Sequence, residues 1–316
     1  MTWMLFVAIL ASTQQGVNRP KADRPATCGD VLAFQVRLDR RGFSPGEIDG
    51  RHGPNLERAL TAFQEQAQIP VTGQPDCASW AELSSDGTSD VLIDYQVTEE
   101  DEAGPFLEGS LPPSLPEQAS LPSLAYASVL EALAERFHAS PRLITRLNPG
   151  VRIAAGATIR VPAVTPFDPA SKPGLDAVAG TTTIRVSRSG NTLRVLREDG
   201  TTAFTAPVSS GSEHDPLPLG TWKVTGTSWM PPFHYNPELF WDADATDPKA
   251  VIKPGPNNPV GAVWVDINVP HYGLHGTPTP RLVGHAQSHG CVRLTNWDAA
   301  RLASLVKPGT PVVFDP

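Results

Sequence analysis

Basic residues are scarce. The 316-residue chain has 25 Lys and Arg against 33 Asp and Glu, a formal charge of −8. That excludes a nucleic-acid partner, which needs a basic face to displace phosphate counterions. Long apolar runs are missing too: no stretch reaches the ~20 residues of a membrane-spanning helix, so no stable membrane span is expected. The run Trp3–Ala11 fits the ~7–15 apolar residues of a secretory signal, and residues 1–16 are expected to be a signal-like segment, although no Lys or Arg precedes the run. A buried N-terminal strand is the alternative. There are only three cysteines. In an oxidising compartment Cys28 and Cys77 can form a disulfide worth roughly 4 kcal/mol in the chain-entropy model; in a reducing one they are two free thiols. Cys291 is left over, and an odd cysteine in an exported protein calls for a reactive role.

What is abundant is proline, 33 residues, clustered at Pro105–Pro122 and Pro162–Pro173. With 40% hydrophobic residues to build cores, the pattern reads as modules on strings. Residues 28–84 show helical spacing in Val31, Phe34 and Leu38, and again in Leu56, Ala59, Leu60 and Phe63. Gly42 serves as a stop, and Asn55 and Asp76 as caps of the second and third helices. The series GFSPGEIDG…ALTAFQ…PVTGQPDCASWAEL resembles the small three-helix peptidoglycan-binding domain. Residues 85–123 are acidic and then proline-rich, the composition of an extended linker.

Residues 124–164 combine a helical stretch with the strand-like ATIRVP. The ending LNPG…G…IRVP resembles the lysin motif, a βααβ glycan-binding module, but Tyr126–Val129 stand where the motif's G-D-T-L belongs; a structural spacer is the alternative. From residue 181 to 316 the period becomes that of strands, with Thr183–Val186 and Thr192–Leu196 parted by Ser189-Gly190-Asn191. One helix interrupts them, capped by Thr295 or Asn296. The fold expected is a multidomain α+β chain: a small three-helix domain, a lysin-motif-like βααβ segment and a mainly-β, β-sandwich-like C-terminal catalytic domain. The aromatic, proline-rich loop 228–258 is long enough to be a lid, with Phe240 and Trp241 among the side chains able to roof a cleft.

The chemistry concentrates in YGLHGTPTPRLVGHAQSHGCVRLTN, Tyr272 to Asn296. An unperturbed thiol is mostly protonated at neutral pH, and an imidazole can take its proton as the sulfur attacks. Gly290 lets a carbonyl approach the backbone beside Cys291, whose N–H can hold an oxyanion. Arg293 can grip a carboxylate. The H-x-x-x-H pairs His271/His275 and His285/His289 raise a metal site, but glycine and proline break the first and neither carries the metalloprotease glutamate. No metal and no cofactor is expected.

The stretch is similar to the signature of bacterial L,D-transpeptidases, His-Gly-Thr followed by Ser-His-Gly-Cys-x-Arg, and the likeness extends over about 181–316. It implies that Cys291 is the nucleophile and His275 its base and acid, oriented by the Gly276 carbonyl. Ser288, His289 and Gly290 would shape the pocket and oxyanion site, and Arg293 would face the substrate's charged end. The implied activity is 3→3 cross-linking of peptidoglycan through a cysteinyl thioester on the third stem residue, a diamino acid such as meso-diaminopimelate, with release of D-Ala. The active-site serine–lysine chemistry of S-x-x-K enzymes is not expected. The implied partners are peptidoglycan stem peptides and glycan strands, with a carbapenem as inhibitor, and the place is the periplasm or cell wall after export. Alternatives are an L,D-carboxypeptidase or hydrolase of diaminopimelate-linked bonds, and a non-catalytic wall-binding protein. The acceptor (stem peptide, D-amino acid or wall protein) stays open.

Overall fold

The computed structural model describes residues 28–85, 87, 90–244 and 246–316; the signal-like segment 1–16 lies outside them. Asp30 caps helix α1 (Val31–Arg40) by accepting from the Ala33 N–H at 2.7 Å. Helix α2 (Pro54–Ala67) begins on its proline, and α3 (Cys77–Leu83) is capped by Asp76. Asn55 is therefore not the cap. It lies inside α2, and its amide reaches the C-terminal domain, donating to the Val283 carbonyl at 2.9 Å. Phe34, Leu38, Leu56, Leu60, Phe63 and Leu83 form the core of this domain, and a disulfide joins Cys28 to Cys77.

The reading of 85–123 as an extended linker is corrected. Strand β1 (Leu92–Gln96), helix α4 (Glu99–Ala103) and helix α5 (Leu115–Ala119) lie within it. After helices α6 (Val129–Arg136) and α7 (Pro141–Leu147), strand β2 (Thr158–Pro162) pairs antiparallel with β1, Tyr95 opposite Ile159. The unit built around α6 and α7 thus draws its first strand from upstream of the expected 124–164 boundary. The physical reason is that Val97 and half-buried Tyr95 join Leu133, Phe137 and Ile159 in one core, which residues 124–164 alone would leave uncovered.

The C-terminal domain has strands β3 (Thr182–Ser187), β4 (Thr192–Arg197), β5 (Thr202–Pro207), β6 (Ser209–Ser210), β7 (Gly220–Trp229), β8 (Phe233–Tyr235), β9 (Ala250–Ile252), β10 (Val263–Ile267), β11 (Gly273–His275) and β12 (Val292–Arg293), then helix α8 (Asn296–Leu305) and strand β13 (Pro311–Asp315). Nine of these form one sheet in the order β5-β4-β3-β13-β7-β10-β11-β12-β6. The long β7 serves both halves: Gly220–Lys223 pair with β13, and Val224 onward with β10. Buried residues of both halves and of α8 share one core, so the sandwich-like character comes from a single continuous sheet. The β8–β9 hairpin stands apart. Its Tyr235 and Ile252 pack with Leu124, and Leu111, Leu115 and Leu121 of the proline-rich segment close over them.

Candidate active site

Strands β11 and β12 run parallel, with Leu274 opposite Val292 and His275 opposite Arg293. Side chains two apart on a strand share a face, and so do registered partners. Cys291, next before Val292, therefore looks out on the side of the sheet that carries His275 and Arg293. The sulfur is half-buried and lies 3.5 Å from the His271 carbonyl; His271 itself adopts φ +67, a conformation uncommon outside glycine.

His275 is buried, its ring stacked on Trp264 at 5.3 Å between centroids. Gly273 makes room for that indole: a Cβ there would meet it at 2.4 Å. The imidazole Nδ1 lies 2.7 Å from the Gly276 carbonyl. A carbonyl only accepts, so Nδ1 carries the hydrogen and Nε2 presents a lone pair. Burial, and then the Arg293 charge, lower the His275 pKa to about 3, against a raising contribution from the Gly276 hydrogen bond. Burial likewise raises the Cys291 thiol, which Asp215 pushes further up while the Gly273 N–H and Arg293 pull it down. Both shifts favour the uncharged forms, a neutral thiol and a neutral imidazole rather than an ion pair.

The other residues singled out from the sequence divide by task. The Ser288 hydroxyl is buried and committed to the backbone: it accepts from the Gly211 N–H at 2.7 Å and donates to the Cys291 carbonyl at 2.6 Å. With both bonds committed, it fixes the loop that carries Cys291. His289 faces the roof. Its Nε2 lies 2.7 Å from Asp242 Oδ1, and Phe240 and Trp241 pack their rings against it at 5.1 and 6.0 Å. Gly290 has φ +96, and a Cβ there would meet the Tyr272 ring at 2.5 Å. Arg293 is half-buried, one guanidinium nitrogen 3.5 Å from His289 Nδ1.

Sequence reasoning gave no role at the site to Asp215 and Asp242, which reach it only through the tertiary fold, and it placed Tyr272 and Asn296 only at the ends of the chemical stretch. Thr295, not Asn296, caps α8, and Asn296 instead bonds across to Glu135 and Ala262. A Ser-x-x-Lys string does occur, Ser304 to Lys307, at the end of α8. There the Ser304 hydroxyl donates back to the Arg301 carbonyl at 2.7 Å and Lys307 is exposed, so it is no catalytic pair.

Residues 181–314 match the family model of the L,D-transpeptidase catalytic domain, and residues 29–83 match the one described as "Putative peptidoglycan binding domain". The C-terminal domain belongs to the L,D-transpeptidases. That domain makes the chain an enzyme, an acyltransferase. Among similar proteins, "Putative L,D-transpeptidase YkuD" of Bacillus licheniformis is 29% identical over 59% of this chain and 93% of its own length. The protein of the same name from Bacillus subtilis is 45% identical over 19% of this chain, which spans 37% of that relative. A solved L,D-transpeptidase from Mycobacterium smegmatis aligns at 19% identity over 52% of this chain and 76% of that one, with a TM-score of 0.35. Among the described residues of this L,D-transpeptidase, no helix is long and apolar enough to cross a membrane.

Proposed function

We propose that this L,D-transpeptidase forms 3→3 peptidoglycan cross-links in two acyl transfers at Cys291. In the first, Nε2 of His275 takes the thiol proton as Sγ attacks the carbonyl carbon of the third stem residue. The oxygen becomes an oxyanion beside the Gly290–Cys291 backbone. Collapse breaks the bond to the terminal D-Ala, whose leaving nitrogen takes the proton back from His275, and a thioester remains. In the second, an amine of another stem attacks that carbonyl and gives its proton to His275. The C–S bond breaks, and the sulfur recovers the proton.

The observation that carries this reading is the shared sheet face of Cys291 and His275, with Nδ1 tied to Gly276 so that Nε2 alone is free. Phe240 and Trp241 pack on His289, two residues before Cys291, and an aromatic wall there favours transfer to an amine over hydrolysis by limiting the approach of water to the thioester. Arg293 serves as the grip for a substrate carboxylate. The N-terminal domain holds the wall polymer, and the βααβ unit of β1, α6, α7 and β2 is a lysin-motif-like second contact with glycan. Such substrates place the protein in the periplasm or cell wall after export. A carbapenem, which presents a strained acyl group, acylates Cys291.

The test is muropeptide analysis with wild type and Cys291→Ala. New 3→3 dimers that depend on Cys291 support cross-linking. Tripeptides alone reassign the enzyme as a carboxypeptidase, and changes that persist in Cys291→Ala remove the sulfur from the mechanism.

A further inference from the structure

Strand β6 pairs with β12, Ser210 opposite Val292, which sets Gly211 beside Cys291. The Gly211 N–H also holds Ser288, whose hydroxyl holds the Cys291 carbonyl. Beyond Gly211 the chain makes a tight turn, with Ser212 and Asp215 exchanging two hydrogen bonds: the Ser212 N–H donates to the Asp215 carbonyl at 2.9 Å, and the Asp215 N–H to the Ser212 hydroxyl at 3.0 Å. Asp215 is thereby fixed at the nucleophile's end of the cleft. Its Oδ2 is fully covered and meets no hydrogen-bond partner among the described residues. Buried carboxylate oxygens are ordinarily bonded, and one left bare is costly.

The position is also wrong for a purely structural acid. Asp215 acts on Cys291 and on Tyr272, in both cases disfavouring the negative form, so it opposes the thiolate that the reaction needs. A group that costs stability and restrains the nucleophile makes sense if a cation arrives with the substrate. We propose that Asp215 is the binding site for a primary ammonium group of the substrate, so that, with Arg293 two residues beyond the sulfur, the pocket accepts a zwitterionic diamino-acid end. This rests on the transpeptidase reading and refines it. The ammonium meets Oδ1, the carboxylate oxygen that burial does not cover, and neutralises a charge whose other oxygen the protein leaves without a donor. Its charge also cancels the carboxylate's field at Cys291, so the matching substrate lowers the cost of thiolate formation and an amine-less analogue does not. The ammonium has two sources, the side chain of the donor stem or the attacking amine before it loses its proton.

The experiment uses the full chain, wild type, Asp215→Asn and Asp215→Glu. Acylation is followed by intact mass and D-Ala release with a diaminopimelate tetrapeptide and with its side-chain N-acetylated form. Aminolysis of the thioester made from the acetylated donor is followed against acceptor-peptide concentration. If the donor amine is bound, wild type prefers the free-amine donor by roughly tenfold or more, the weight of one charge-assisted hydrogen bond; Asp215→Asn loses the preference and Asp215→Glu regains part of it. If the acceptor amine is bound, acylation shows no preference and Asp215→Asn raises the acceptor KM by a similar factor. In either case iodoacetamide alkylates Cys291 faster in Asp215→Asn, since a restraining charge is gone; a merely structural role would not speed it. An Asp215→Asn enzyme that keeps both the donor preference and the acceptor KM overturns the inference while leaving the transpeptidase intact. A wild type that alkylates normally but that no stem peptide acylates overturns the transpeptidase reading, and the ammonium site falls with it.

Discussion

The carboxylate of Glu135, on helix α6, accepts a 2.6 Å hydrogen bond from the side-chain amide of Asn296, at the start of helix α8 in the catalytic domain. The same amide donates to the Pro256 carbonyl, and its oxygen accepts from the Ala262 N–H at 2.9 Å. That oxygen also presses on Gly276, where a Cβ would stand 2.0 Å away. Gly276 is the residue whose carbonyl orients His275, so a side chain from the neighbouring module braces the turn behind the catalytic imidazole.

This brace has a pH signature. Burial raises the Glu135 carboxyl to about 8, against a lowering hydrogen bond from Asn296 and with Glu131 adding to the rise. Burial and neighbouring Asp39 raise Asp298, which accepts from Ser44 of the N-terminal domain at 2.9 Å, to about 7. Both acids hold protons in the folded state that the unfolded chain has released. Their contribution to stability is thus full below the ordinary carboxylate range and drains away as pH climbs toward 7 and 8. Melting temperature is expected to fall between pH 5 and pH 8, and Glu135→Gln with Asp298→Asn to flatten that slope. A scan in which the double variant keeps the wild-type slope would assign the loss elsewhere.

Gly290→Ala should cripple acylation without unfolding the domain. An alanine at φ +96 is strained and meets the Tyr272 ring, costing ~1–3 kcal/mol, which at the transition state is roughly a ten- to hundredfold rate loss. Stopped-flow acylation by a carbapenem, with a melting curve beside it, measures both parts.

Removing the disulfide should loosen the N-terminal domain alone. Cys28 and Cys77 are 49 residues apart, and a closure of that length is worth about 4 kcal/mol in the chain-entropy model. Cys28→Ser with Cys77→Ser is expected to bring an early unfolding step confined to that domain, visible as lost amide protection in α1 and α2, while titration counts Cys291 as a free thiol in wild type.

The roof should govern the fate of the thioester. Trp241 also stacks on His214 at 4.3 Å, so Trp241→Ala, or Asp242→Asn at the His289 contact, unfastens the loop. The tripeptide-to-dimer ratio is expected to rise as water gains access; an unchanged ratio would mean the roof does not control partition.

What could be read in the chain was what is local. The His275…Ser288-His289-Gly290-Cys291-x-Arg293 string carries its chemistry within one stretch, and the cap at Asp76 sits beside the helix it starts. Strand β1 was invisible because its partner lies more than sixty residues on and its surroundings are acidic, so only the closed core shows why Tyr95 and Val97 turn inward. The leucines of the proline-rich segment looked too sparse for a core, and they are, until the β8–β9 hairpin supplies the other side. Asp215 and Asn296 belong to no periodic pattern. Each acts on the site through a hydrogen-bonded turn or an interdomain contact that no spacing encodes.

The N-terminal domain is keyed onto the catalytic sheet by a bridge from Phe43 to Thr205, by Arg58 on the Gly190 carbonyl and by Asn55 on that of Val283. A polymer segment held by that domain, as proposed above, would therefore reach the sulfur at one fixed offset and heading, and stems would be chosen by where they project along the strand as well as by their chemistry.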